Sequence, residues 1–418
     1  MTESKGRILL VCYYFPPLGG AGVNRPVQLY RSLPAYGYAC DVLTVKPVTY
    51  RVYEPELLPQ EMSGRIYRSG SRDPQRLMYL LGKRSVAPET IEQGRIVSDR
   101  FFPDPKIGWV KPAVALGRTI VENRHYRCII STSPPISSHL VGHRLADEFN
   151  LPWIADFRDL WTALPIEQSY RSGRMVKKGQ ALLQRIRQAA DTIVAVNTSV
   201  GAYVGAGSVI GNAYHEQFAS HWRKPSDSPT ITIGLLGTFN ELYPLEPLLD
   251  LLVELRDRSP QTLDRLRELH VGSVDSVWLA DVLERRRLTE RVTSLGRLGR
   301  KETIEQLSEA SLFYVATDRN RGRAFSTGRI FTLLPSGRPL LACCHPDSEL
   351  AALVGKTENG FTFDGSSASR AAAWLVDLIE RAAHGEEIIL DSPAYAADYS
   401  ELRLAESFAG LLDKITAR

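Results

Sequence analysis

ILLVCYYFPPLGGAGVNRP, residues 8–26, decides the fold. Its apolar run at 8–15 reads as a buried strand, Gly19, Gly20 and Gly22 as a tight turn, and the stretch 23–33 as an amphipathic helix. A second apolar run, ACDVLTV at 39–45, completes a strand–turn–helix–strand unit. Residues 46–110 carry more Pro, Arg and aromatic residues without a clean period and read as an insertion with short helices. Order returns with strands at 128–132, 153–156 and 192–196, separated by a helical pattern through Phe149 and a basic helix at about 172–189. Strands alternating with helices predict a parallel, doubly wound sheet.

The plan repeats in the second half. Residues 231–236, 269–272, 292–295, 312–315 and 339–343 read as strands, with helical patterns at 245–257, 275–288, 301–310 and 328–335. The expectation is an α/β protein of two Rossmann-like, doubly wound parallel-sheet domains facing a central cleft. Their predicted bounds are 1–205 and 230–395, with a Gly- and Pro-containing linker at 206–229 and a last helix at 396–418 packing back on the first domain.

With 418 residues, 44% hydrophobic and 23% charged, the chain has the composition of a globular protein, which excludes disordered and collagen-like classes. The five cysteines are scattered and form no C-x-x-C pair, so no disulfide framework or zinc site is expected, and a reducing cytosol is the predicted compartment. The run at 8–15 meets Pro16-Pro17 without a cleavage pattern, and no run approaches the ~20 apolar residues that span a bilayer. Residues 1–205 hold 27 Lys and Arg against 17 Asp and Glu, and residues 206–418 hold 24 against 30. The basic half points to an anionic surface or substrate, and away from a nucleic-acid module, which would interleave aromatics with the charge.

Several redirecting motifs are absent: G-x-x-x-x-G-K-[ST], H-E-x-x-H, G-x-S-x-G and an intact G-x-G-x-x-G, in which Arg25 replaces the third glycine. Nor is there a D-x-D, the usual way to hold a divalent ion on a diphosphate, so no metal and no cofactor are expected.

What remains is chemistry at strand ends. The amides of Gly19 and Gly20 can approach an anion at a helix entrance, unless the glycines only make a tight turn. CIISTSPPISSH (128–139) offers Ser133 to a sugar hydroxyl and His139 as donor or base, or as a buried histidine satisfied by a neighbour. IADFRDLW (154–161) sets Asp156, Arg158 and Asp159 together, suited to acceptor hydroxyls or to a structural ion-pair network. RNRGRAFSTGRIF (319–331) gathers Arg323 and Arg329 around Gly328 at a strand-to-helix junction, suited to a diphosphate or forming a solvated loop. Arg174, Lys177, Lys178 and Arg185 lie near one helical face with Met175, Leu182, Leu183 and Ile186 interleaved, which fits either an anionic membrane surface or a solvated basic face.

As an ordered set, FPPLGGAG, the Pro103-Asp104 and Gly108-Trp109 pairs, STSPPISSH, PWIADFRDLW, IGLLGTF (233–239) and GRIFTLLPSGRPLLA (328–342) resemble family 4 glycosyltransferases of the GT-B fold, particularly bacterial ones that make surface polysaccharides. The resemblance implies retaining, metal-independent transfer of a sugar from a nucleoside-diphosphate donor, bound mainly by the second domain, to a cell-envelope polysaccharide or lipid-linked acceptor bound mainly by the first. The expected location is the cytoplasm, with the basic helix at 172–189 leaving peripheral attachment to the inner face of the cell membrane open. Arg329 stands where the family has a lysine on the donor diphosphate, Gly19 and Gly20 match the loop near the donor phosphates, and Gly237 matches the turn after the first strand of the donor domain. His139, Asp156 and Arg329 are the expected catalytic set. Ser133, Arg158 and Asp159 are expected at the acceptor, and Gly19, Gly20, Gly237, Arg323, Gly328, Arg329 and Thr332 at the donor. Two departures stand out: Thr332 replaces the glutamate that binds donor ribose, and no basic residue follows Gly237. They keep open a catalytically silent nucleotide-binding or assembly subunit.

Overall fold

β1 (Gly6–Val11) lies inside a seven-stranded, wholly parallel sheet, with Ile8 opposite both Cys40 and Cys128. The other strands are β2 (Tyr38–Val45), β3 (Ile66–Ser69), β4 (Cys128–Ser133), β5 (Trp153–Phe157), β6 (Thr192–Ala195) and β7 (Ser208–Val209), in the order β3-β2-β1-β4-β5-β6-β7. The helices between them are α1 (Ala21–Ser32), α2 (Pro74–Leu80), α3 (Ile107–Glu122), α4 (Ser137–Phe149), α5 (Gly173–Ala189) and α6 (Thr198–Val204). This computed structural model describes residues 4–58, 64–85, 101–160, 173–226, 230–318, 327–366, 368–391 and 393–417.

By their contacts the residues fall into two compact units, 1–213 with 401–418, and 214–400. The segment 206–229, expected as a linker, therefore holds the edge strand β7 before the division and a short helix, Glu216–Ala219, after it.

The second unit carries a six-stranded parallel sheet in the order β10-β9-β8-β11-β12-β13. In chain order its elements are β8 (Ile231–Leu236), α7 (Glu246–Arg258), β9 (Leu266–Val271), α8 (Ser276–Arg285), β10 (Val292–Ser294), α9 (Arg300–Leu307), β11 (Leu312–Ala316), α10 (Arg329–Leu333), β12 (Leu340–Cys343), α11 (Glu349–Val354), β13 (Gly360–Phe363) and α12 (Ala368–Ala383). Both faces of the sheet are covered: Leu248, Leu252, Leu375 and Leu378 pack on one side, and Leu307, Ile330, Leu334 and Leu350 on the other. Burial on both faces is why β8, β11 and β12 read as continuous apolar runs.

The last helix, α13 (Glu401–Thr416), belongs to the first unit. Lys5 pairs with Asp413 at 2.7 Å, Arg31 with Glu401 at 3.4 Å, and the Arg25 guanidinium lies 5.1 Å from the Phe408 ring centre.

In each sheet the strand order reverses once, between β1 and β4 and between β8 and β11. Loops leaving the carboxyl ends of strands at such a reversal diverge to opposite faces and leave a crevice for a ligand. The turn after β1 contains Gly19 and Gly20; the turn after β8 contains Gly237.

Candidate functional site

At the reversal in the second sheet, Gly237 directly follows β8 with φ +96°, and its amide donates to the Val271 carbonyl at 2.8 Å. Side chains other than glycine rarely adopt that dihedral. Arg329, the first residue of α10, reaches back to this turn: its Nη2 donates to the Thr238 carbonyl at 2.9 Å. A Cβ on Gly237 would come within 3.1 Å of the Arg329 Cζ, so glycine here makes room for the guanidinium. That guanidinium lies 4.2 Å from the Tyr243 ring centre and 5.8 Å from that of Phe239. Burial lowers its pKa to about 10, so it stays charged at neutral pH. Among the described residues no carboxylate pairs with it.

The neighbouring turns are tied to the same point. Gly272, after β9, passes so near Gly237 that a Cβ there would fall 2.0 Å from the Gly237 carbonyl oxygen. His270 spans the gap with both ring nitrogens: Nε2 lies 2.8 Å from the Gly237 carbonyl oxygen and Nδ1 2.8 Å from the Ser294 hydroxyl. Because a carbonyl can only accept, Nε2 carries the proton and Nδ1 accepts from Ser294. Burial and the nearby Arg329 charge depress the His270 pKa, which keeps this neutral tautomer. Arg297, after β10, donates to the Ser273 hydroxyl at 2.7 Å. Beside these turns a cavity of about 550 Å³ opens between α8 and β10, lined by Val274, Ser276, Leu279, Leu283, Glu290 and Gly296 among others. Its size suits a small organic ligand.

His270, Arg297 and Tyr243 escape sequence reasoning, because their only signal is a place at or just beyond a strand end. Gly328 is the N-cap residue of α10 and Thr332 lies one turn beyond Arg329, its carbonyl accepting from Trp222 Nε1 at 3.3 Å. The helix is only five residues long and has no side-chain cap, so the helix-end contribution expected for an anion is small and the guanidinium carries the charge. Arg323 lies outside the described residues.

In the first unit several expected roles change. Asp156, on β5, is fully buried against Arg25 of α1: Nε to Oδ2 is 3.0 Å and Nη2 to Oδ1 is 2.9 Å. Thr132 also donates to Oδ2 at 2.7 Å, and Arg25 donates further to the Ile210 and Gly211 carbonyls. Both carboxylate oxygens are thus occupied by a structural network, which corrects the catalytic role expected of Asp156. Arg25 likewise points inward, away from any ligand on the glycine turn.

His139 is fully buried, and its Nδ1 lies 2.8 Å from Ser131 Oγ. That hydroxyl also accepts from Trp153 Nε1 at 2.8 Å. Nε2 has no partner among the described residues, and burial pushes the ring's pKa down to about 3. A ring of that pKa is neutral at physiological pH and too weak a base for the role expected of it.

The glycine turn is also already engaged. Gly19 N donates to the Val52 carbonyl at 2.9 Å and Gly20 N to the Glu54 carboxylate at 2.8 Å, so these two amides do not stand open to a phosphate as expected. Likewise Asp104, from the Pro103-Asp104 pair, occupies the start of α4, accepting from Ser137 N at 2.8 Å and Ser137 Oγ at 2.9 Å. Ser133 is buried at the end of β4, Arg158 Nε donates to its carbonyl at 2.7 Å, and Asp159 is exposed. On α5, Arg174, Lys177, Lys178 and Arg185 are exposed, whereas Met175, Leu182, Leu183 and Ile186 are buried within the unit. The apolar side of α5 is therefore spent on the core and is not available to lipid.

Two parallel, doubly wound sheets with site residues at their reversal points define a two-sheet Rossmann-like protein, and comparison with solved structures gives its type. Sucrose-phosphate synthase from Thermosynechococcus elongatus superposes with a TM-score of 0.69 at 15% identity, covering 99% of this chain and all of that one. An α,α-trehalose-phosphate synthase (UDP-forming) from Burkholderia vietnamiensis gives 0.63 at 11% identity with full coverage of both chains. A glycosyltransferase from Rickettsia africae gives 0.59 at 12% identity, covering 99% and 98%. The fold is GT-B, and at these identities the likeness is one of fold. No family model matches the sequence, and no curated protein does. Among the described residues no helix is long and apolar enough to cross a membrane.

Proposed function

We propose that this chain is a retaining glycosyltransferase that moves a sugar from a nucleoside-diphosphate donor to a cell-envelope polysaccharide or lipid-linked acceptor. The observation that carries this reading is Arg329: a part-buried guanidinium, held between a glycine turn and two aromatic rings, with no carboxylate partner among the described residues. A buried cation without a counter-charge is costly unless an anion completes it. Pyrophosphate matches a guanidinium fork in charge and geometry. The neighbouring cavity has room for the nucleoside end of such a donor.

Gly237, Gly328, Arg329 and Thr332, with Arg323, form the donor site in this reading, and Ser133, Arg158 and Asp159 the acceptor site. The transfer is metal-independent, since the sequence lacks the D-x-D that would hold an ion on the diphosphate. Arg329 stabilises the leaving diphosphate while a donor phosphate oxygen takes the acceptor proton, and the acceptor attacks on the same face. The absence of an available carboxylate nucleophile at Asp156 favours this route over a covalent intermediate.

The test is turnover. The full chain, incubated with labelled nucleoside-diphosphate sugars, bacterial lipid extract and EDTA, should release nucleoside diphosphate and label the extract. Thr332, at the position of the ribose-binding glutamate, favours the silent-subunit reading as the alternative. A parent without turnover, together with tighter UDP or GDP binding by Thr332→Glu, would establish that alternative in place of the enzyme.

A further inference from the structure

Three of the large apolar side chains exposed on this molecule are neighbours: Leu77 at 60%, Leu80 at 65% and Leu81 at 78% exposure. At i, i+3 and i+4 they share one face of α2 and its C-cap. An apolar cluster turned to water on a firmly held element marks an interaction surface.

The element is firmly held. Asp73 caps α2 by accepting from Arg76 N at 3.1 Å, and Thr49 N donates to the Gln75 carbonyl at 3.1 Å. Beyond the helix, Lys83 N returns to the Met78 carbonyl at 3.0 Å, Thr49 Oγ1 donates to the Lys83 carbonyl, and Tyr53 Oη donates to the Arg84 carbonyl at 2.8 Å. The leucines thus project from a pinned support.

The exposed charges on this stretch have one sign. Between Gly70 and Ser85 the exposed charged residues are Arg72, Lys83 and Arg84, and the single acid, Asp73, is buried. Arg84 lies 4.0 Å from the Tyr79 ring centre, so a cation and an aromatic ring flank the leucines.

We infer that Leu77, Leu80 and Leu81 insert into the headgroup boundary of an anionic lipid bilayer, with Lys83 and Arg84 lying against its phosphates. Apolar residues that enter the interface beside cations that pair with lipid phosphate are the two parts of interfacial docking. α2 supplies the wedge, and the chain directly after it supplies the charge; the apolar side of α5 is core and takes no part. This goes beyond the proposed transfer reaction, and its test uses neither donor nor turnover, so either reading can fail while the other stands.

The experiment is co-sedimentation of the full chain with vesicles of phosphatidylethanolamine and phosphatidylglycerol, against vesicles of phosphatidylcholine alone. The parent should pellet with the anionic vesicles only. The triple variant Leu77→Ser, Leu80→Ser, Leu81→Ser should lose about ten-fold or more in vesicle affinity while keeping its melting temperature, since the leucines lie outside the core. Lys83→Glu with Arg84→Glu should lose a similar amount, and the loss should shrink as salt rises. Emission of Leu80→Trp, compared with the parent, should shift to the blue when anionic vesicles are added. Equal pelleting of parent and triple variant, or an unshifted Leu80→Trp, would overturn the inference. So would a parent dimer that the triple variant splits with no change in pelleting, because the leucines would then meet a second copy of the chain.

Discussion

Arg25 and Asp156, 131 residues apart in sequence, meet in a two-bonded ion pair that is almost wholly buried. It links the first helix of the first unit to the strand β5, and the Ile210 and Gly211 carbonyls complete it. Removing one partner would leave the other charge stranded away from water, a loss of about 3–5 kcal/mol. Asp156→Ala should therefore shift chemical unfolding to much lower denaturant. A residue acting only in catalysis would leave that midpoint unchanged.

Burial holds the His139 pKa at about 3, against 6.5 for the free side chain. The folded chain thus binds fewer protons than the unfolded chain between those values. The stability tied to the neutral ring is complete above pH 6.5 and is lost progressively as pH falls toward 3. His139→Gln should flatten the slope of stability against pH in that window. In the parent, the His139 ring proton resonances should stay constant between about pH 8 and pH 5.

Glu54 occupies the Gly20 amide as a phosphate would. Glu54→Ala should open that amide to anions, so inorganic phosphate should shift the Gly20 amide resonance in the variant and leave it in place in the parent. Equal shifts in both would show that the carboxylate does not compete for this amide.

Gly237→Ala would place a methyl group 3.1 Å from the Arg329 Cζ on a backbone of φ +96°. The expected cost is about 1–3 kcal/mol, accompanied by displacement of the guanidinium. Unfolding should detect the first effect and weaker nucleotide binding the second.

The legibility of this chain in its sequence follows burial. β1, β2, β4 and β5 lie inside their sheet and show as apolar runs. β3 and β13 are four-residue edge strands with one buried residue each, and β7 has only two residues, too few to stand out from their surroundings. Sites were harder to read because a sequence gives no direction for a side chain. The arginine after the glycine turn suggested an anion, yet Arg25 faces inward to a carboxylate supplied by a distant strand. α5 was legible as amphipathic, but which of its two sides remained exposed depended on the sheet beneath it. The exposed leucines of α2 fell in a stretch with no clean period, and only the fold shows that they are uncovered.

The central claim is that Arg329 completes its charge with the diphosphate of a nucleotide. Calorimetric titration of the full chain with UDP and GDP in EDTA, repeated on Arg329→Ala, tests it most directly. The account predicts binding by the parent, a loss of about 10–100-fold in Arg329→Ala, and partial recovery in Arg329→Lys. Equal affinity in parent and Arg329→Ala would contradict it.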